Sequence, residues 1–266
     1  MDRRGQPEIM EIRRKNMRNV IAEIMGNRSL TSDMYEMILR IPEGTGQILP
    51  GQFIDLKIEG LYLRRPVSIC SWDEESITIL YKTVGAGTEQ MSRMQAGESI
   101  DVLLPLGNGY DPEKTAPSAG EHPVLIGGGA GIPPMYGLCR SMIEAGRTPA
   151  VILGYTNAEN MFYTEEFAKA GADVFITTED GSAGIRGFVT DALADLPCSS
   201  VFACGPEPML EAVDSALDET VPGFFSFEER MGCGFGACMG CSCETKYGSK
   251  RICKDGPVLE RSEIIW

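Results

Sequence analysis

Four cysteines constrain this chain more than anything else in it. Cys233-x4-Cys238-x2-Cys241 is followed by Cys253, with eleven residues intervening. A C-x4-C-x2-C…C spacing is the plant-type pattern for a [2Fe–2S] cluster. The reason is geometric: three thiolates from one tight loop surround two irons, and a fourth arrives from a separate segment. Gly232, Gly234, Gly236 and Gly240 suit such a loop, because its backbone must turn through positive φ and approach the sulfides closely. N–H groups in such turns also offset negative charge. Zinc is the competing reading, and it usually asks for two C-x2–4-C knuckles. Here Cys243 gives a third spacing and only Cys253 stands on the partner side, so Cys243 reads as a bystander thiol.

The rest of the composition narrows the class. Nine cysteines in a chain with neither an apolar span of membrane length nor a signal-like N-terminus point to the cytoplasm. In that reducing compartment thiols bind metal more readily than they form disulfides. The balance of 24 basic and 38 acidic residues, a net charge of −14, argues against a nucleic-acid surface. One histidine, His122, stands before a proline and a strand, which leaves little room for a Ser-His-Asp triad.

The 266 residues fit two domains and a tail better than one domain. Residues 1–15 are charged and read as an appendage, although Glu8–Ile12 could begin a helix. Residues 16–110 carry short strands at Val20–Met25, Met34–Leu39, Phe53–Ile58, Val67–Cys70, Ser76–Tyr81 and Ser99–Leu104. A turn is expected at Asn27–Ser32 and a short helix at Thr88–Met94. Six strands at this spacing predict an antiparallel all-β barrel. Residues 110–121 are rich in loop formers and form the expected linker. Over 122–225 the period changes. Strands at Val124–Ile126, Ala150–Leu153, Val174–Thr177 and Ser200–Ala203 alternate with helices at Pro134–Ala145, Glu165–Ala170, Val189–Leu193 and Pro208–Leu217. That alternation predicts an α/β, doubly wound parallel sheet. Residues 226–266 form a glycine- and cysteine-rich tail.

Two further sets of residues carry chemistry. Arg65-Pro66-Val67-Ser68 lies on a barrel strand. An arginine holds a pyrophosphate bidentately, a serine reaches a flavin ring edge, and proline fixes the backbone between them. The plainer reading is an edge strand with a surface arginine. Lys82-Thr83-Val84-Gly85-Ala86-Gly87-Thr88 adds a glycine-rich turn opening a helix, which presents N–H groups to phosphate. Gly127-Gly128-Gly129-Ala130-Gly131 follows a buried strand and opens a helix, as a dinucleotide site requires, though Ile132 breaks the last position of G-x-G-x-x-G. A plain tight turn fits it equally well. Cys204-Gly205-Pro206 ends another strand, and Cys204 either faces a nicotinamide ring or is a small buried thiol. The loop Gly154–Asn160 has one acid and no base, which favours NAD(H) over NADP(H).

Barrel, Arg-Pro-x-Ser, glycine-rich turn, glycine-rich loop and Cys-Gly-Pro, in that order, resemble the ferredoxin–NADP reductase superfamily. The tail, Glu229-Arg230-Met231-Gly232-Cys233 through Cys241 with Cys253-Lys254-Asp255-Gly256-Pro257-Val258, resembles the electron-transfer subunit of NAD-linked (class IB) dihydroorotate dehydrogenases. The resemblance implies FAD at Arg65, Pro66, Val67, Ser68, Tyr81, Lys82, Thr83, Gly87 and Thr88. It implies the cluster at Cys233, Cys238, Cys241 and Cys253. It places NAD against Gly127, Gly128, Gly129, Ala130, Gly131, Cys204, Gly205 and Pro206. It also implies electron transfer from an FMN-containing catalytic subunit, in a heterotetramer of two of each, to NAD+ for pyrimidine biosynthesis. Similar chains serve hydrogenase-like and transhydrogenase complexes. Met231, Phe235 and Met239 would rim the cluster and face the partner. No catalytic acid or base is expected in this chain, and with NADH it should reduce dyes alone.

Overall fold

The computed structural model describes residues 17–111 and 120–266. The N-terminal appendage and most of the expected linker lie outside the described residues. Six strands close an antiparallel barrel: β1 (Arg18–Ser29), β2 (Met34–Arg40), β3 (Phe53–Lys57), β4 (Arg65–Trp72), β5 (Ser76–Lys82) and β6 (Ser99–Leu106). Their spatial order is β1-β2-β5-β4-β3-β6, with β6 returning to β1. Closure leaves no open edge. Alternate residues point inward, and Ile24, Leu39, Ile54, Leu56, Ile79 and Val102 fill the interior.

The turn expected from Asn27 begins later, because β1 runs to Ser29. Asn27 works as a tie within the strand. Its Nδ2 donates to the carbonyls of Met91 (2.8 Å) and Met94 (2.9 Å). This anchors the end of α1 (Ala86–Met91), which stops there rather than at Met94. The start of α1 is fixed by Thr88, whose Oγ1 accepts from the N–H of Val84 at 2.9 Å.

The second sheet has seven strands. Parallel strands β7 (Pro123–Gly128), β8 (Ala150–Tyr155), β9 (Asp173–Thr178), β10 (Ile185–Arg186), β11 (Ser200–Cys204) and β12 (Gly223–Ser226) lie in the order β10-β9-β8-β7-β11-β12 and are joined by helices, except for a turn between β9 and β10. The helices are α2 (Ile132–Glu144), α3 (Thr164–Ala170), α4 (Val189–Leu193) and α5 (Glu207–Ala216). The chain winds outward from β7 to β9, then crosses to β11 on the other side of β7. The crevice beyond the C-terminal ends of β7 and β11 is therefore the topological switch point, where ligands bind in open α/β sheets.

The tail is built into this sheet. It forms a hairpin of β13 (Ser242–Thr245) and β14 (Gly248–Arg251), then adds β15 (Val258–Glu260) antiparallel to β12. Asn108, just past the barrel, ties the three parts together. Its side chain donates to the carbonyls of Asp255 and Val258 and accepts from the N–H of Val258 at 3.0 Å. Arg261 is almost fully buried and holds the far end of α5. It pairs with Asp214 and donates to the carbonyls of Asp214 and Leu217 at the end of α5 and of Asp218 and Val221 in the loop beyond it. Among the described residues no helix is long and apolar enough to cross a membrane.

Candidate cofactor sites

The cysteine loop leaves β12 and wraps back toward the barrel. Gly234 and Gly236 take φ +76° and +87°, conformations open to glycine. Met239 takes φ 62° without that freedom; such strain gathers at functional sites. The N–H groups of Ala237 and Cys238 point at Cys233 Sγ (3.1 and 3.5 Å), that of Gly240 at Cys238 Sγ (3.5 Å), and that of Cys253 at Cys241 Sγ (3.4 Å).

Charge follows from this arrangement. Burial raises the Cys233 thiol, but N–H groups of Cys238, Phe235 and Ala237 and the Cys238 thiol outweigh it, bringing Cys233 down to about 7. Deeper burial, together with the neighbouring Cys241 thiol, pushes Cys253 up to about 12. The Cys233 thiol is hydrogen-bonded with that of Cys238, and the Cys253 thiol with that of Cys241. Among the described residues no three Cys, His, Asp or Glu side chains gather round one point as a single ion requires. Two couples of thiols with N–H donors aimed at sulfur fit two irons. Cys243 lies apart on β13, half-buried, and burial raises its thiol. All nine cysteines are free thiols.

On the barrel, Arg65 and Gly87 come together: a Cβ on Gly87 would stand 2.3 Å from Arg65 Nε. The sequence signals at Arg65–Ser68 and Gly85–Thr88 are thus one surface, and glycine makes room for the guanidinium. Lys82 pairs with Asp33 at 3.0 Å, and the Thr83 N–H donates to the Asp33 carbonyl at 2.8 Å. Tyr81 turns the other way. Its ring stacks on Tyr35, its hydroxyl donates to Asn27 at 2.9 Å, and burial pushes it up to about 12. Only its main chain is left to face a ligand.

At the switch point a cleft of about 600 Å³ opens between barrel and sheet. Asp33, Met34 and Lys82 wall it on the barrel side. Gly128, Gly129, Gly154, Thr177, Glu179 and Pro206 wall it at the strand ends. The glycine loop divides its work. A Cβ on Gly131 would stand 2.1 Å from the Cys204 carbonyl oxygen, so this glycine lets α2 close onto β11. A Cβ on Gly129 would meet nothing, and its φ is +54°. Ala130 is exposed beside it, and Gly127 packs on Ile132. Cys204 does not line the cleft. It is buried, bonded to Ser226, and its thiol is raised by that burial. Asp33 and Glu179 had no local signal in the sequence, since they reach the cleft from separate segments.

A barrel bearing an Arg-x-x-Ser strand, joined to a doubly wound sheet with a cleft at its switch point, defines the ferredoxin reductase class of oxidoreductase. The solved structure of an NADH-dependent reduced ferredoxin-NADP oxidoreductase matches with a TM-score of 0.82 at 27% identity, covering 92% of this chain and 90% of that one. A ferredoxin NADP+ reductase from Neisseria gonorrhoeae, with a TM-score of 0.63 at 18% identity over 74% of this chain and 89% of its own, shares the fold. Residues 125–215 match the oxidoreductase NAD-binding domain, and residues 228–265 match the iron-sulfur cluster binding domain of dihydroorotate dehydrogenase B. The electron transfer subunits of dihydroorotate dehydrogenase B (NAD(+)) from Bacillus pumilus and Shouchella clausii are each 38% identical. They cover 93% and 91% of this chain, and 98% and 96% of their own lengths. The chain belongs to the family of electron transfer subunits of NAD+-linked dihydroorotate dehydrogenase B.

Proposed function

We propose that this chain carries electrons in the cytoplasm from an FMN-containing dihydroorotate dehydrogenase catalytic subunit to NAD+, serving pyrimidine biosynthesis, in a heterotetramer of two of each chain. The observation that carries this reading is the set of main-chain N–H groups aimed at Cys233, Cys238 and Cys241 on a loop whose Gly234 seats against Asp55 of the barrel, with Cys253 brought in from beyond the β13–β14 hairpin. When bound, the [2Fe–2S] cluster supplies one-electron transfer, and FAD supplies the exchange between single electrons and a hydride for NAD+.

The protein's own part is binding, orientation and electrostatics. Cys233, Cys238, Cys241 and Cys253 are the iron ligands, and the N–H groups aimed at their sulfurs stabilise the thiolates. Arg65 with the Gly85–Thr88 turn holds the FAD pyrophosphate, and Pro66, Val67 and Ser68 hold the ring edge. Lys82 and Thr83 continue that surface into the cleft. The NAD nucleotide lies over Gly128 and Gly129 beside Pro206, with Glu179 disfavouring a 2′-phosphate. Cys204 supports the cleft from below. Phe235 and Met239 are exposed on the cluster loop and form the docking face for the catalytic subunit, whereas Met231 packs on the core.

Metal and flavin analysis with a dye assay tests this. The purified chain should hold about two irons, two sulfides and one FAD, and should reduce dyes with NADH. Serine at Cys233, Cys238, Cys241 or Cys253 should abolish the cluster, and serine at Cys243 should keep it. Loss of iron from Cys243→Ser but not from Cys253→Ser would refute the ligand set. The likeness to the NADH-dependent reduced ferredoxin-NADP oxidoreductase supports a second reading, a transhydrogenase partner; failure to bind the dihydroorotate dehydrogenase catalytic subunit would favour it.

A further inference from the structure

Asp55 is a buried carboxylate with no evident duty to the fold. It stands on β3, 2% exposed, and among the described residues its Oδ1 has no hydrogen-bond partner. Two guanidinium groups lie near, and neither takes the carboxylate. Arg64 donates to Asp101 Oδ1 at 2.9 Å, to Asn19 and to the main-chain carbonyls of Asp55 and Asp101. Arg65 donates to the carbonyls of Leu63 and Arg64. A buried, unpaired charge is expensive, and a natural fold that keeps one calls for an explanation.

Strand register shows what the carboxylate faces. Asp55 opposes Pro66, and Phe53 opposes Ser68. Opposed residues share a face and alternate residues change face. Ile54 and Leu56 fill the barrel, so Asp55, Phe53, Pro66 and Ser68 lie on its outer side. The cysteine loop comes down on that same side. A Cβ on Gly234 would stand 2.6 Å from Asp55 Oδ2 and 3.4 Å from Leu106 Cδ1. Glycine at φ +76° is what lets the loop come this close, and Gly234 directly follows Cys233. The carboxylate thus shares the outer face of β3 and β4 with the serine of the flavin motif and touches the loop at the residue after the first cysteine of the cluster, with Leu106 and Leu103 beside it.

We propose that Asp55 sets the potential of the iron–sulfur cluster relative to the flavin. Its negative charge, hydrogen-bonded to neither nearby guanidinium, raises the free energy of the reduced cluster and so favours passage of the electron onward to FAD. The cluster is oxidised in that passage and the flavin reduced. The role rests on the relay reading above and extends it to a residue outside the ligand set. Asp55 is a tuning residue that touches the cluster loop and ligates nothing. Burial raises its carboxyl to about 6 against the pull of Arg64 and Arg65, which leaves it ionised at pH 8.

The test is a redox titration of the full chain with its cofactors at pH 8, following the cluster by electron paramagnetic resonance and the flavin by absorbance. Asp55→Asn should raise the reduced-to-oxidised ratio of the cluster about tenfold at fixed potential, which is 59 mV for one electron. The flavin should move less, and Asp55→Glu should return the cluster toward wild type. Asp55→Ser repeats the experiment if the asparagine chain fails to fold. An unmoved cluster potential in a neutral variant overturns the role, as does a flavin that shifts more than the cluster. Loss of iron from both neutral variants shows a structural duty instead and also overturns it. A wild-type chain with no reducible cluster refutes the relay reading itself, a result distinct from a wild-type signal that the substitution leaves in place.

Discussion

Two glycines of the loop after β7 should fail for different reasons, and substituting each with alanine separates packing from binding. At Gly131 the new methyl would stand 2.1 Å from the Cys204 oxygen, 2.2 Å from its carbonyl carbon and 2.5 Å from the Gly205 nitrogen. Ordinary contact needs more than an ångström of extra room. All three atoms are backbone in a strand end and its turn, so no side chain can swing aside. Overpacking of this kind costs about 1–3 kcal/mol, and the rigid target puts Gly131→Ala at the upper end. With a domain of this size losing roughly 2–4 °C per kcal/mol, its melting temperature should fall by about 6–12 °C. At Gly129 the methyl meets nothing. The cost there is the left-handed backbone, about 1–2 kcal/mol, and the methyl projects where the nucleotide is proposed to lie. Gly129→Ala should therefore melt nearer wild type yet raise KM for NADH several-fold in the dye assay. Thermal melts and NADH kinetics on both proteins decide it. A wild-type melting temperature for Gly131→Ala, or an unchanged KM for Gly129→Ala, would refute the division of labour.

Other outcomes follow from single side chains. Arg261→Ala removes a half-buried ion pair with Asp214 and the side-chain donor to the Leu217 and Val221 carbonyls; urea unfolding should show a loss of about 1–3 kcal/mol. The Asp55 carboxyl, raised to about 6 by burial, makes the folded state hold a proton that the unfolded state has released between pH 4 and 6. The penalty for burying its charge is therefore relieved as pH falls through 6, and Asp55→Asn should be the more stable protein at pH 8, with the gap about halved at pH 5 and closed only below about pH 4. The full gap is roughly 3 kcal/mol at most, and unfolding curves at these pH values measure it. NADH should be preferred to NADPH, and Glu179→Arg should narrow that preference at least tenfold, read as a ratio of kcat/KM.

The cysteine spacing was fully legible because iron geometry dictates it locally, and the barrel and parallel sheet were legible because period two gives way to alternation near residue 122. What escaped the sequence depends on distant partners. Gly223-Phe224-Phe225-Ser226 is only four residues long and becomes a strand because β11 and β15 flank it. The hairpin at 242–251 hides within a segment whose glycines and cysteines read as loop. Site residues divided in the same way. Arg65 and Gly87 are 22 positions apart in the sequence, and each had a motif that pointed to the same surface. Cys204 sat in a motif with two readings, a thiol facing a nicotinamide ring or a small buried one, and the fold buries it with a hydrogen bond to Ser226. Asp55 reads as an ordinary polar residue in an alternating strand until the cysteine loop folds over it.

Reconstitution tests whether this chain carries electrons from dihydroorotate oxidation to NAD+. The isolated chain and the FMN-containing catalytic subunit are mixed without oxygen, dihydroorotate and NAD+ are added, and NADH formation is followed. Neither chain alone should form NADH, the mixture should form it rapidly, and a mixture made with Cys233→Ser should form none. Dihydroorotate-dependent NADH formation by the isolated chain, or an undiminished rate with the Cys233→Ser chain, would contradict this role.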